Sequence, residues 1–134
     1  MHALEAIHAA LRPSGALLDV RPAPLHPWVE IVSGDRVVRL GQLDESYRHA
    51  TLATADAALQ TVLDAGRFAR ECATTFTFTY SFDCVDAWLE YMAEQWRSVP
   101  ISADLVARAR AALPAGTGAL RIPHIVSAAR LRPR

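Results

Sequence analysis

Apolar residues in this chain recur at two spacings, and the switches between them mark out its elements. Leu4, Ile7 and Leu11 stand three and four apart and predict a short helix over 4–11, which Pro13-Ser14-Gly15 breaks. The nearly continuous apolar run Ala16-Leu17-Leu18-Asp19-Val20 predicts a strand covered on both faces. Prolines at 22, 24 and 27 stiffen the connector that follows, and Pro22 ends the strand because it has no amide N–H to pair. Segments 28–32 and 36–40 flank Ser33-Gly34-Asp35, which predicts a hairpin. Trp28, Glu30 and Val32 share one of its faces and Val29 and Ile31 the other. Neither face is uniformly apolar, which suits a ribbon projecting from the main body or lying over a pocket.

Helical spacing returns over 47–63, where Leu52, Ala55, Leu59 and Val62 share one side and Ala65-Gly66 gives the stop. The strongest strand spans 68–80, with Phe76, Phe78 and Tyr80 on one face and Thr75, Thr77 and Thr79 on the other. Asp83 or Ser81 is placed to cap the next helix, with Asp86 suited to its positive end. Its stripe of Val85, Trp88, Leu89, Met92 and Trp96 stops near Pro100. Ser102 caps a further helix carrying Leu105, Ala109 and Leu113. After a turn at 114–118 a last strand over 120–131 contains Pro123, which marks a bulge or an edge. The order is α-β, a β-hairpin, then α-β-α-α-β.

With 134 residues the chain is expected to form one domain over 1–134. Fourteen basic and fourteen acidic side chains balance, so a nucleic-acid partner, which needs a concentrated basic surface, is not expected. Arg130, Arg132 and Arg134 form a short basic tail that reads as a solvated terminus. No run reaches the roughly 18 apolar residues of a membrane span, and Met1-His2 opens no signal peptide. A cytoplasmic location is the resulting expectation. Cys72 and Cys84 lack a CxxC relation and read as buried thiols rather than a redox pair.

Candidate chemistry is sparse. Among His2, His8, His26, His49 and His124 no pair has metal-ligand spacing, so no metal site is expected. His8 reads as solvent-facing, and His124, which shares a strand face with Ile122 and Val126, as a half-buried, hydrogen-bonded imidazole. Gly116-Thr117-Gly118 follows a helix and opens a strand, the reverse of a phosphate-cradling loop. Glu90 and Glu94 read as solvated carboxylates, and no GxSxG elbow is present. Asp19 lies near a strand end beside Arg21, which favours an ion pair over a ligand contact. The hairpin, the proline connector and the aromatic strand point to a candidate pocket of His26, Trp28, Tyr80 and Trp88. Trp88, Met92 and Trp96 read mainly as core.

The stretch Ala6-Ile7-His8-Ala9-Ala10-Leu11-Arg12-Pro13-Ser14-Gly15-Ala16-Leu17-Leu18-Asp19-Val20 resembles the helix–turn–strand midway through class I S-adenosylmethionine-dependent methyltransferases. Ser14 stands where that family commonly has the first of two glycines. Phe82-Asp83-Cys84-Val85-Asp86-Ala87-Trp88-Leu89 would correspond to the helix after their sixth strand, and residues 122–131 to their final strand. The resemblance implies an α/β fold of α+β variant, a partial Rossmann-like mixed sheet with helices and a projecting hairpin. The family's glycine-rich cofactor loop and the acidic residue ending its second strand have no counterpart here. No cofactor and no catalytic residue are therefore expected, and methyl transfer by this chain alone is not, since donor and acceptor must be held in line at short range.

Three functions remain in view. The first is a non-catalytic domain acting through self-association, as a dimer, or through a protein partner. Its surface would be the apolar strand edge at Leu17, Leu18 and Asp19, because an unpaired hydrophobic edge invites another chain. The second is a small-molecule binding protein or enzyme with an apolar pocket. The third is the substrate-side subunit of a split methyltransferase.

Overall fold

The computed structural model describes residues 3–114 and 116–134. Met1 and His2 of the opening, and Ala115 of the 114–118 turn, lie outside the described residues. The elements are α1 (Ala3–Ala10), β1 (Leu17–Pro22), β2 (Trp28–Ser33), β3 (Arg36–Gln42), α2 (Ser46–Asp64), β4 (Phe68–Phe82), α3 (Val85–Gln95), α4 (Ala103–Ala112) and β5 (Ala119–Pro133). Each predicted helix and strand is present, with ends shifted by a few residues.

Local chemistry explains several boundaries. Gly34 adopts φ +56 as the first of two turn residues between β2 and β3, where a type II′ hairpin needs a positive φ. Gly66, at φ +68, ends α2 in a Schellman arrangement: the Arg67 amide donates to the Val62 carbonyl at 3.0 Å and the Gly66 amide to that of Leu63 at 2.9 Å. Ser102 caps α4 as expected, its hydroxyl accepting from the Leu105 amide at 3.1 Å. The cap of α3 is Cys84 rather than Asp83 or Ser81; its sulfur accepts from the Ala87 amide at 3.5 Å.

The five strands form one open antiparallel sheet in the order β1-β5-β2-β3, with β4 also paired to β5. This order overturns the Rossmann-like mixed sheet and, with it, the methyltransferase resemblance, both of which require a parallel core. The physical reason lies in the connections. β1 and β2 are separated only by residues 23–27, and a parallel neighbour needs a crossover of about a dozen residues or more. β1 pairs instead with the last strand, Leu17 opposite Leu131 and Pro22 opposite Val126. The hairpin does not project either: Glu30, Ile31 and Val32 pair with Arg121, Leu120 and Ala119 of β5. Val29 and Ile31 are buried, so the mixed pattern of the hairpin belongs to a strand inside a sheet with one covered face.

Two compact units are distinguished. The first contains the described residues up to Pro24, Arg48–Phe76 and Ile125–Arg134. Its core is small: Leu59, Val62, Phe68 and Leu131 are buried, with Leu4, Ile7, Leu11, Leu17 and Leu63 packed around them. The helical spacings on α1 and α2 place these side chains on one face of each helix. His8 is half-buried rather than fully solvent-facing. Its ring meets Phe68 edge-on at 5.2 Å and its Nε2 lies 3.3 Å from the Arg134 carbonyl.

The second unit, Leu25–Tyr47 and Thr77–His124, holds a larger core. Val29, Ile31, Leu40 and Leu43 of the hairpin region meet Val85, Trp88, Met92 and Trp96 of the α3 stripe, Leu105 and Ala109 of α4, and Leu120 and Ile122 of β5. Arg108 donates to the Leu40 carbonyl, and Arg110 pairs with Asp86 at 2.6 Å between α4 and α3.

Candidate functional site

Within the second unit two ionisable side chains are buried, Glu45 at 3% exposure and His124 at 7%. They meet: His124 Nε2 lies 3.2 Å from Glu45 Oε1. The other ring nitrogen, Nδ1, lies 3.4 Å from the Ile122 carbonyl. Glu45 is held in turn by its backbone amide, which donates to His26 Nδ1 at 3.1 Å. Aromatic rings wall the imidazole, with Trp96 centred 5.0 Å away and Tyr80 5.4 Å, both edge-on. Tyr80 also meets Phe78, Tyr91 and Trp96. A carboxylate and an imidazole side by side are the material of general acid–base chemistry, which requires a reactant within hydrogen-bond reach. Here both ring nitrogens face protein acceptors and the pair is buried, so the arrangement acts as a polar lock between β5 and the segment entering α2. Buried polar groups of this kind cost little only because each is paired.

The candidate pocket residues are placed as follows. His26 is half-buried and anchors its loop: its ring accepts from Glu45 and its carbonyl from Gln42 Nε2 at 3.1 Å. Trp28 is exposed on β2, with the Arg39 guanidinium 5.3 Å from its ring centre in a cation–π contact. Tyr80 belongs to the ring cluster around His124. Trp88 is fully buried in the second core, as are Met92 and, nearly so, Trp96. Cys72 and Cys84 are both exposed free thiols, contrary to the burial expected of them. Glu90 and Glu94 are exposed on α3.

The first unit carries two adjoining grooves that share Asp19, Arg21 and Leu59. One, of about 510 Å³, is apolar and runs between β1 and α2, with Leu17, Leu18, Ala55 and Ala58 on its walls. The other, of about 700 Å³, is polar and includes Gln60, Arg70 and Thr74. Arg21 stands where they join. It donates to Asp19 at 2.7 Å and pairs with Asp56 at 2.8 Å. The Asp19 hydrogen bond raises the guanidinium above its ordinary range against the opposing effect of burial. Of the candidate interface residues, Leu17 packs against the first core, Leu18 is 68% exposed and Asp19 is committed to Arg21.

The three strands at the margins of the sheet differ in what they present. β1 is six residues long and carries the Asp19–Arg21 pair and Pro22. β3 carries Arg36 and Arg39. β4 is fifteen residues long, pairs with β5, and is exposed on both faces from Arg70 to Thr79. Glu71 is engaged by Arg130 and Arg132 of β5. From Cys72 to Phe82 β4 has neither a charge nor a proline, and Phe76 and Phe78 are 47% and 51% exposed. Short length, charge and proline are the devices that protect sheet edges. β1 has all three and β3 has charge, whereas β4 from Cys72 to Phe82 has none of them.

No protein-family model, curated protein or solved structure matches the chain. Among the described residues there is no cluster of three or more metal-ligating side chains, and no helix is long and apolar enough to cross a membrane. Glu45 was not legible as a site residue. It sits in a polar link without periodicity, and only the fold brings it to His124. The β4 edge was legible in part, since its Phe/Thr alternation is plain in the sequence, but that the strand is marginal is a matter of topology.

Proposed function

We propose that this chain is a non-catalytic α+β interaction module that works by strand addition along β4. The observation that carries the reading is the uncharged, proline-free stretch of β4 from Cys72 to Phe82 at the margin of the sheet, exposed over most of its length. Such an edge offers backbone donors and acceptors that pair with the strand of another polypeptide, while alternating side chains set the specificity. The Phe and Thr rows supply two distinct surfaces, one apolar and one of hydroxyls. The buried Glu45–His124 pair, its ring nitrogens facing protein acceptors, supports a structural rather than a catalytic use of this enclosed acid–base pair.

Amide hydrogen exchange tests this. Outward-pointing amides of 72–82 are expected to exchange at least tenfold more slowly in the assembled wild-type protein than in Thr77→Lys, whose charge guards the edge. Fast exchange across this stretch in the wild type at every concentration sinks the reading.

A further inference from the structure

Resting on that reading, we infer that the strand added to β4 is β4 of a second copy, paired antiparallel about a two-fold axis at Thr77. The argument is self-complementarity. In an antiparallel pair centred on one residue, positions equidistant from it face each other across the axis. With Thr77 at the centre, Phe76 of one copy lies opposite Phe78 of the other, and this happens twice. On the other face Thr75 lies opposite Thr79, also twice. Aromatic–aromatic and Thr–Thr cross-strand pairs are among the favourable ones in antiparallel sheets.

The neighbouring registers are poorer. Centring on Phe78 would set Phe76 against Tyr80, whose ring is already turned to Tyr91, Trp96 and His124. Centring on Thr75 would set Phe76 against Thr74 and leave Phe78 opposite Cys72. Only the Thr77 centre joins the two most exposed aromatic residues of the strand to each other. The ends of the exposed stretch fit as well. In this register pairing extends from Cys72 opposite Phe82 to its symmetric equivalent, the same eleven uncharged positions over which β4 lacks a guard. Arg70 and Glu71 fall outside it.

At a two-fold centre a residue faces its own copy, with Cα atoms about 4.5–5.5 Å apart, which is within the reach of a disulfide. The test is therefore cysteine cross-linking in a Cys72→Ser, Cys84→Ser background, read by non-reducing electrophoresis beside sedimentation velocity of the wild type. A dimer in sedimentation, with Thr77→Cys cross-linking at least tenfold faster than Phe78→Cys or Thr75→Cys, is the expected result. Phe78→Lys is expected to weaken the dimer at least tenfold while circular dichroism shows the fold intact. A dimer that cross-links best through Phe78→Cys or Thr75→Cys overturns the register and leaves strand addition standing. Protected β4 amides in a chain of monomeric mass overturn the second copy as the partner. A monomer with fast-exchanging β4 amides overturns both this inference and the reading beneath it.

Discussion

The two compact units bury their apolar residues to different depths. The second closes Trp88, Met92 and Trp96 of α3 against the hairpin, α4 and the start of β5, and even its ionisable pair is sealed. The first buries only Leu59, Val62, Phe68 and Leu131, and two open grooves flank that cluster through Leu59. The contrast follows from side-chain supply. α3 carries two tryptophans, a methionine and a tyrosine on eleven helical residues and the turn after them, whereas α2, nineteen residues long, is rich in Ala and Thr. Large side chains bury more area per position and close a core; small ones leave grooves. Stability is thus concentrated in the second unit, and the first is the region where local opening costs less.

Substitutions rank that difference. Trp88→Ala removes the largest fully buried side chain and is expected to cost about 3–5 kcal/mol in urea unfolding. Leu131→Ala, in the first core, is expected to cost about 2–3 kcal/mol, since side chains bordering the adjoining groove have room to collapse into the space. An equal or larger loss at Leu131 would remove the distinction between the two cores. The smallest effect is expected at the groove junction. Asp19→Asn should lower stability by about 1 kcal/mol or less, because both partners are partly solvated and Arg21 keeps Asp56. The sign with pH follows from the raised guanidinium. Its contribution is complete below the unfolded-state value and lost only as pH rises through the folded one, in strong alkali. Ordinary alkaline titration should therefore leave this contribution intact, which unfolding at pH 7 and pH 9 compares directly.

Much of this molecule was readable along the chain. The 3.6-residue spacing of Val85, Trp88, Leu89, Met92 and Trp96 identifies α3 and its buried face together, because a single helix stripe must be covered by something. Gly66 and Ser102 mark helix ends through backbone requirements that act within a few residues. Features decided by a distant partner are not legible in this way. The exposure of Cys72 depends on β4 lying at a margin. The pairing of His124 depends on Glu45, 79 positions away. The helix–turn–strand at 6–20 is a local pattern that parallel and antiparallel sheets use equally well, and so it suggested a family that the strand order excludes.

The elements, their order, their apolar faces and the uncharged composition of 72–82 are all legible along the chain, since each is set by neighbours three or four residues apart or by alternation along a strand. Which strands are adjacent is settled in three dimensions alone. β5 returns from the far end of the chain to pair with β1, β2 and β4, and these contacts are fixed by the joint burial of several faces at once rather than by any segment's own preference. That choice left β4 with an open side, and it is what turns an ordinary Phe/Thr alternation into a surface for another strand.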